Sequence, residues 1–255
     1  MGFLLNNIPD VFITNLKLKY KHRWLFDQFS MQLPAATWTC LLGSSGVGKS
    51  TLLRLLAGLP TGADHPMDTQ AITATDQKPL TGRIAYMAQQ DSLMPWLTVV
   101  NNCLIGPRLR GETVNSAYSD RVLTLLARVG LTKAMDLYPA ALSGGMRQRV
   151  SLVRTLLEDR PLVLMDEPFS ALDAITRYKL QDLAAELLAG KTILLVTHDP
   201  LEALRLADRI YVLRGAPATL SSVLVPEGSR PRSLTEPCIL RQQAELLTLL
   251  AELSN

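Results

Sequence analysis

Residues 37–50 read Thr-Trp-Thr-Cys-Leu-Leu-Gly-Ser-Ser-Gly-Val-Gly-Lys-Ser, and Thr51 follows. The first six form an apolar β-type run. Gly43–Ser50 then fit the pattern G-x-x-x-x-G-K-[ST], and a helical stretch, Lys49–Ala57, opens on it. Strand, glycine-rich turn and helix in that order predict a phosphate cradle. Gly43, Gly46 and Gly48 let the backbone fold close around an anion with its N–H groups turned inward. The positive end of the helix faces the same point. Lys49 adds a mobile charge, and the Ser50 hydroxyl is a ligand for Mg²⁺. Gly43, Ser44, Ser45, Gly46, Val47, Gly48, Lys49, Ser50 and Thr51 are the candidate nucleotide-binding residues.

Three further apolar runs share the character of Thr37–Leu42: Leu162–Met165, Thr192–Thr197 and Ile210–Leu213. Runs without polar alternation suit a sheet covered on both faces. Helical patterns follow them at Arg147–Leu157, Ala174–Leu188 and Leu201–Ala207, so the alternation predicts an α/β fold with a mostly parallel sheet. From about Met94 to Leu157 helical patterns alternate with Pro/Gly breaks and no strand is read, with an amphipathic stretch at Asp120–Val129. That predicts a helical insertion between two strands of the sheet. Pro60–Gly82 is polar and turn-rich and yields no element, and Gln242–Leu253 reads as a terminal helix.

The chain has 255 residues, with 26 Lys+Arg against 23 Asp+Glu and 47% apolar residues. A net charge of +3 without a run of like charges argues against a nucleic-acid-binding arm. The three cysteines, Cys40, Cys103 and Cys238, are far apart and form no CxxC pair. This argues against a disulfide framework or a zinc site and fits a reducing compartment. Met1–Leu5 lacks the basic and long apolar regions of an export signal, and no apolar run reaches the ~18 residues of a membrane span. The expectation is a cytosolic domain.

Leu162–Met165 leads into Asp166, Glu167 and Pro168. A carboxylate at the tip of such a strand stands beside the phosphate loop, where Asp166 can hold Mg²⁺. Glu167 is then placed as general base for a water attacking the terminal phosphate. His198 follows Thr192–Thr197 and falls at the same carboxyl edge, where open α/β sheets bind ligands.

Leu142-Ser-Gly-Gly-Met-Arg-Gln-Arg149 lies upstream of the Asp166 strand and opens a helix. Taken in order, the phosphate loop, Gln89, LSGGM, LMDEP, SALD and His198 resemble the ATP-binding subunits of ABC transporters over about residues 11–215. The resemblance implies a P-loop NTPase core with an antiparallel β subdomain and an inserted helical subdomain at about 90–160. A short extension, 216–255, follows. It also implies an ATPase using ATP and Mg²⁺, with Glu167, His198 and Gln89 catalytic and Ser50, Gln89 and Asp166 at the metal. Gln89 is chosen over Gln90 because LMPW then falls at the usual spacing. Tyr20, in LKLKY, matches the aromatic that stacks on adenine; packing in the core is its plainer reading. Ser143, Gly144 and Gly145 match the signature that meets the γ-phosphate held by a second subunit, and Asp173 matches the loop at that interface. Met146 departs from the usual Gln of the signature, and Pro60–Gly82 lacks a clear Gly-rich hairpin.

By the same resemblance, two copies would close head to tail around two ATP. The chain would sit at the cytoplasmic face of the membrane, held there by permease subunits and served indirectly by an extracytoplasmic solute-binding protein. LMPW (Leu93–Trp96), LSGGMRQR and the short tail look most like a subgroup energising import of nitrate, sulfonates, taurine and thiamine-precursor pyrimidines. AYMAQQDSLMPW paired with IGPRLRG leans toward the hydroxymethylpyrimidine branch. Met94–Leu97 are either a groove for a permease helix or packing within the helical insertion. An exporter motor, a nucleic-acid ATPase of the same superfamily and a small-molecule kinase are the rival readings. The last has no need of LSGGM or of a Glu directly after the Mg²⁺ aspartate.

Overall fold

A computed structural model describes residues 8–63 and 71–252. Met1–Leu5, part of the turn-rich segment (64–70), and Leu253 of the expected terminal helix lie outside the described residues. The elements in chain order are β1 (Val11–Tyr20), β2 (Arg23–Leu33), β3 (Trp38–Leu42), α1 (Lys49–Leu56), β4 (Ile72–Ala74) and β5 (Ile84–Met87). Next come α2 (Val99–Cys103), α3 (Ile105–Leu109), α4 (Ser116–Arg128), α5 (Gly144–Leu157), β6 (Leu162–Asp166) and α6 (Ala174–Leu187). The chain then runs through β7 (Thr192–Val196), α7 (Pro200–Leu206), β8 (Arg209–Arg214), β9 (Thr219–Leu220) and α8 (Pro237–Glu252). They pack as two units. One draws on Met1–Ile84, Pro161–Glu167 and Ala189–Asn255; the other comprises Ala85–Arg160 and Pro168–Leu188.

In the first unit β3 pairs in parallel with β7 on one side and β8 on the other. β6 lies parallel beyond β7, and β9 closes the β8 edge antiparallel. Every residue of β3, β6 and β7 is buried, which is why these strands carry no polar alternation. Register aligns their carboxyl ends: Val196 faces Leu41 on one neighbour and Asp166 on the other. The residues that follow, Gly43, Glu167 and His198, therefore emerge at one edge.

The antiparallel sheet of this unit has the order β2-β1-β4. Val11, Ile13, Leu16, Phe26 and Leu33 are among its fully buried side chains. Its third strand, Ile72–Ala74, lies in the segment where the sequence offers no element; at three residues it is too short to show a period. α8 begins at Pro237, five residues ahead of the expected Gln242, and Ile239 and Leu246 are its buried anchors. Each such side chain contributes about 2 kcal/mol. Ahead of α8, the buried Arg232 donates to the carbonyls of Leu204, Ala207, Pro226, Glu227 and Gly228, so its guanidinium is held by five main-chain carbonyls.

The second unit is built around α5, which has eight buried residues and packs against α2 and α4. No strand occurs in residues 94–157. Helix starts follow their caps rather than their apolar periodicity. Asn115 accepts from Tyr118 N–H at 2.9 Å, so α4 begins at Ser116, ahead of Asp120. Ser143 accepts from Met146 N–H at 3.2 Å, so α5 begins at Gly144 rather than Arg147. Asn102, fully buried, donates to the carbonyls of Met94, Leu97 and Thr98 and accepts from Met94 N–H at 2.8 Å. A single side chain thereby fixes the 94–98 turn and leaves Trp96 70% exposed.

Candidate functional site

The phosphate loop leaves β3 at Leu42 and enters α1 at Lys49, as the pattern requires. Gly43 is irreplaceable on packing grounds: a Cβ there would lie 2.5 Å from the Leu213 carbonyl oxygen. Gly46 has open space around it but adopts φ +80°, a conformation that L side chains rarely take. Lys49 is buried and donates to the carbonyls of Gly43 and Ser44, at 2.8 Å each. Burial lowers its pKa below the usual lysine value, and the carboxylates of Glu167 and Asp166 oppose that shift. Ser50 and Thr51 are half-buried in the first turn of α1, and Val47 and Gly48 are buried.

Asp166 ends β6 with its side chain buried. The Ser50 hydroxyl donates to its carboxylate, and burial nonetheless holds its pKa above the usual carboxylate range. Its Oδ1 is buried without a hydrogen-bond partner. Glu167 then takes φ +49°, rare for a non-glycine residue, and its N–H donates to the Val196 carbonyl at 2.9 Å. That turn places Glu167 Oε1 3.1 Å from Nδ1 of His198, whose side chain is 61% exposed. Lys49, Ser50, Asp166, Glu167 and His198, expected from separate motifs, thus meet at one sheet edge.

Two cavities share the loop residues Ser44 and Ser45. One, about 430 Å³, is lined by Tyr20, Arg23, Trp24, Leu25 and Ala216. The other, about 310 Å³, is lined by His198, Arg214 and Leu250. A phosphate chain on the loop would have an aromatic-lined space at one end and His198 at the other. Tyr20 lines the first space, and its hydroxyl donates to the Thr61 carbonyl at 2.9 Å. Arg23, Trp24 and Leu250 are lining residues that the sequence reading missed. The alternation Leu16, Leu18, Tyr20 followed by a turn at Lys21 is the signal that would have located the first two. Leu250, some 200 residues along the chain from the loop, has none.

Gln89, Ser143, Gly144, Gly145 and Asp173 belong to the second unit. Gln89 and Gln90 are both exposed and both line a cavity of about 430 Å³ with Asp91, Gly144, Arg147 and Gln148. Ser143 and Gly144 are exposed at the start of α5. Gly145 is closely packed: a Cβ there would lie 3.1 Å from the Ala171 carbonyl oxygen, so that loop would have to give by a few tenths of an ångström. Asp173 caps α6 by accepting from Thr176 N–H at 3.0 Å, and such backbone donors lower its pKa. Gln148 ties the two motifs together: its Oε1 accepts from Ala171 N–H at 2.8 Å and its amide donates to the Ser170 hydroxyl.

Compared with known families, residues 26–170 match the model described as ABC transporter. The chain belongs to the ABC transporter ATP-binding family. It is 45% identical to an uncharacterized ABC transporter ATP-binding protein of Haemophilus influenzae, over 92% of this chain and 96% of that one. It is 41% identical to an aliphatic sulfonates import ATP-binding protein, SsuB 1, of Pseudomonas syringae pv. syringae, covering 87% and 88%. With SsuB of Escherichia coli K12 the identity is 37%, covering 95% and 91%. Among solved structures, the dimeric ATP-binding cassette MJ0796 in a post-hydrolysis state bound to ADP and Pi superposes with a TM-score of 0.72. It is 27% identical and covers 86% of this chain and 100% of that one. The ABC ATPase fold expected from the motifs is therefore present, and this family member is an ATP-binding, ATP-hydrolysing transporter subunit. No helix among the described residues is long and apolar enough to cross a membrane.

Proposed function

We propose that the chain energises an importer for aliphatic sulfonates or a closely similar organic anion. Residues 43–51 hold the phosphates of ATP, and Tyr20 faces the base. The residues fit Mg²⁺: the buried Asp166 has one oxygen without a hydrogen-bond partner, beside the Ser50 hydroxyl, the donor pair a hard cation bound mainly by phosphate and water requires. Ser50 and Asp166, with Gln89, would hold the ion, and when bound it supplies charge neutralisation at the β- and γ-phosphates.

Glu167 accepts a proton from water as the water oxygen bonds to the γ-phosphorus and the bond to the ADP oxygen breaks. General-base assistance of this kind contributes about 10²–10⁴ in rate. His198, 3.1 Å from that carboxylate, orients it and reaches the γ-phosphate. The convergence of Lys49, Ser50, Asp166, Glu167 and His198 at one sheet edge is the observation that carries this reading.

Ser143–Gly145 and Asp173 complete the site of a second copy, so the working unit is a homodimer around two ATP; the dimeric cassette MJ0796 bound to ADP and Pi supports this. The exposed Trp96 turn, stapled by Asn102, receives a permease helix. The protein then sits at the cytoplasmic face of the membrane through the permease, with a solute-binding protein acting from the other side. The import direction and sulfonate class rest on the named relatives. The test is ATPase activity of the reconstituted complex, titrated with alkanesulfonates, taurine, nitrate and hydroxymethylpyrimidine in the presence of the receptor. Stimulation by sulfonates is expected. Stimulation by the pyrimidine alone would move the solute to the branch toward which AYMAQQDSLMPW leans.

A further inference from the structure

Arg147 follows the signature at a position to which no step of the reaction above assigns a role. Its Nη1 donates to the carbonyl of Leu142, the residue before Ser143, at 2.8 Å. Its Nε donates to Oδ2 of Asp91 at 2.9 Å. Asp91 is fixed on its own side as well. Its Oδ1 accepts from Leu93 N–H at 3.3 Å, and Arg154 donates to the carbonyls of Asp91 and Ser92 at 2.8 and 3.0 Å. One guanidinium therefore joins the loop two residues beyond Gln89 to the loop that leads into Ser143.

Stability does not explain this bridge. The two side chains are 36% and 32% exposed, and ion pairs so placed contribute only about 0–1 kcal/mol. The fork geometry of arginine does something a point charge would not: it fixes two loops by two directed bonds from one plane. Resting on the reading above, Gln89 serves the nucleotide held by its own phosphate loop, whereas Ser143–Gly145 serve the nucleotide held by the partner copy.

We propose that Asp91 and Arg147 are positioning residues that lock the Gln89 loop to the signature loop, so that the groups serving the two ATP sites move together. Breaking the pair leaves nucleotide binding intact and slows turnover, because the signature reaches the partner's site out of register with Gln89.

The test is a double-mutant cycle in the reconstituted complex, reading kcat, KM for ATP and the ATP Kd of the purified chain. Asp91→Ala, Asp91→Asn and Arg147→Ala should each lower kcat about tenfold, with KM and Kd changed less than twofold. Asp91→Glu, which keeps the carboxylate, should restore most of kcat, and the double Ala variant should be no slower than either single one. Melting temperatures within a few degrees of the parent are expected for so exposed a pair. Multiplicative losses in the double variant, failure of Asp91→Glu to rescue where Asp91→Asn is impaired, or equal losses in Kd and kcat would overturn the proposal. Glu167→Gln in the same assay separates the two readings. If it turns over normally, the assignment of the site fails; if it is inactive while the cycle is multiplicative, only the bridge fails.

Discussion

His198 Nδ1 lies 3.1 Å from Glu167 Oε1 across the ends of two adjacent parallel strands, β7 and β6. The contact exists because Glu167 leaves its strand in a left-handed conformation, φ +49°, while its N–H stays bonded to Val196. That conformation costs about 1–2 kcal/mol, and such strain persists where surrounding structure holds it in place. Here the holding group is the neighbouring strand, which also delivers His198.

His198→Ala should therefore slow ATP turnover about a hundredfold while ATP affinity stays within twofold, since Lys49 and the loop are untouched. Single-turnover hydrolysis beside an equilibrium ATP titration checks this. A loss of affinity as large as the loss of rate would show that His198 holds the nucleotide rather than serving the reaction.

Lys49→Ala should act on the other quantity. A charge-assisted hydrogen bond to phosphate contributes about 2 kcal/mol, so ATP affinity should fall about thirtyfold. Fluorescent-nucleotide titration reads this directly. An unchanged Kd would mean that the ammonium remains on the Gly43 and Ser44 carbonyls when nucleotide binds.

The thiols offer a check on the core that needs no activity. Cys40 and Cys103 are 0% and 1% exposed. Burial pushes both thiols up, Cys103 to about 12, with the Glu202 carboxylate adding to the shift at Cys40. At pH 8 a thiol with that pKa is about one part in ten thousand thiolate. A maleimide should label only Cys238 quickly in the native protein, and all three after denaturation. Rapid labelling of two or three would contradict the packing of β3 and α2.

The central strands β3, β6 and β7 and the site they carry were legible because each is buried along its whole length and leads into a residue of distinct chemistry. Gly43–Ser50, Asp166, Glu167 and His198 could thus be placed at one edge before any contact was known. The antiparallel sheet was less legible. β1 alternates only in part, its register is interrupted by bulges, and Ile72–Ala74 has too few residues for a pattern. Asn102 was invisible for another reason: a buried asparagine that bonds three carbonyls looks in sequence like any polar helical residue. The helices at Ser116 and Gly144 start ahead of their apolar periodicity because the capping side chains Asn115 and Ser143 set the first turn.

The most direct measurement is hydrolysis and oligomeric state of Glu167→Gln with ATP and Mg²⁺. Removal of the base, with every phosphate contact kept, should abolish turnover, leave ATP affinity within a few-fold, and trap an ATP-bound dimer on gel filtration. Near-parental hydrolysis by that variant would contradict the assignment of Glu167 as the base.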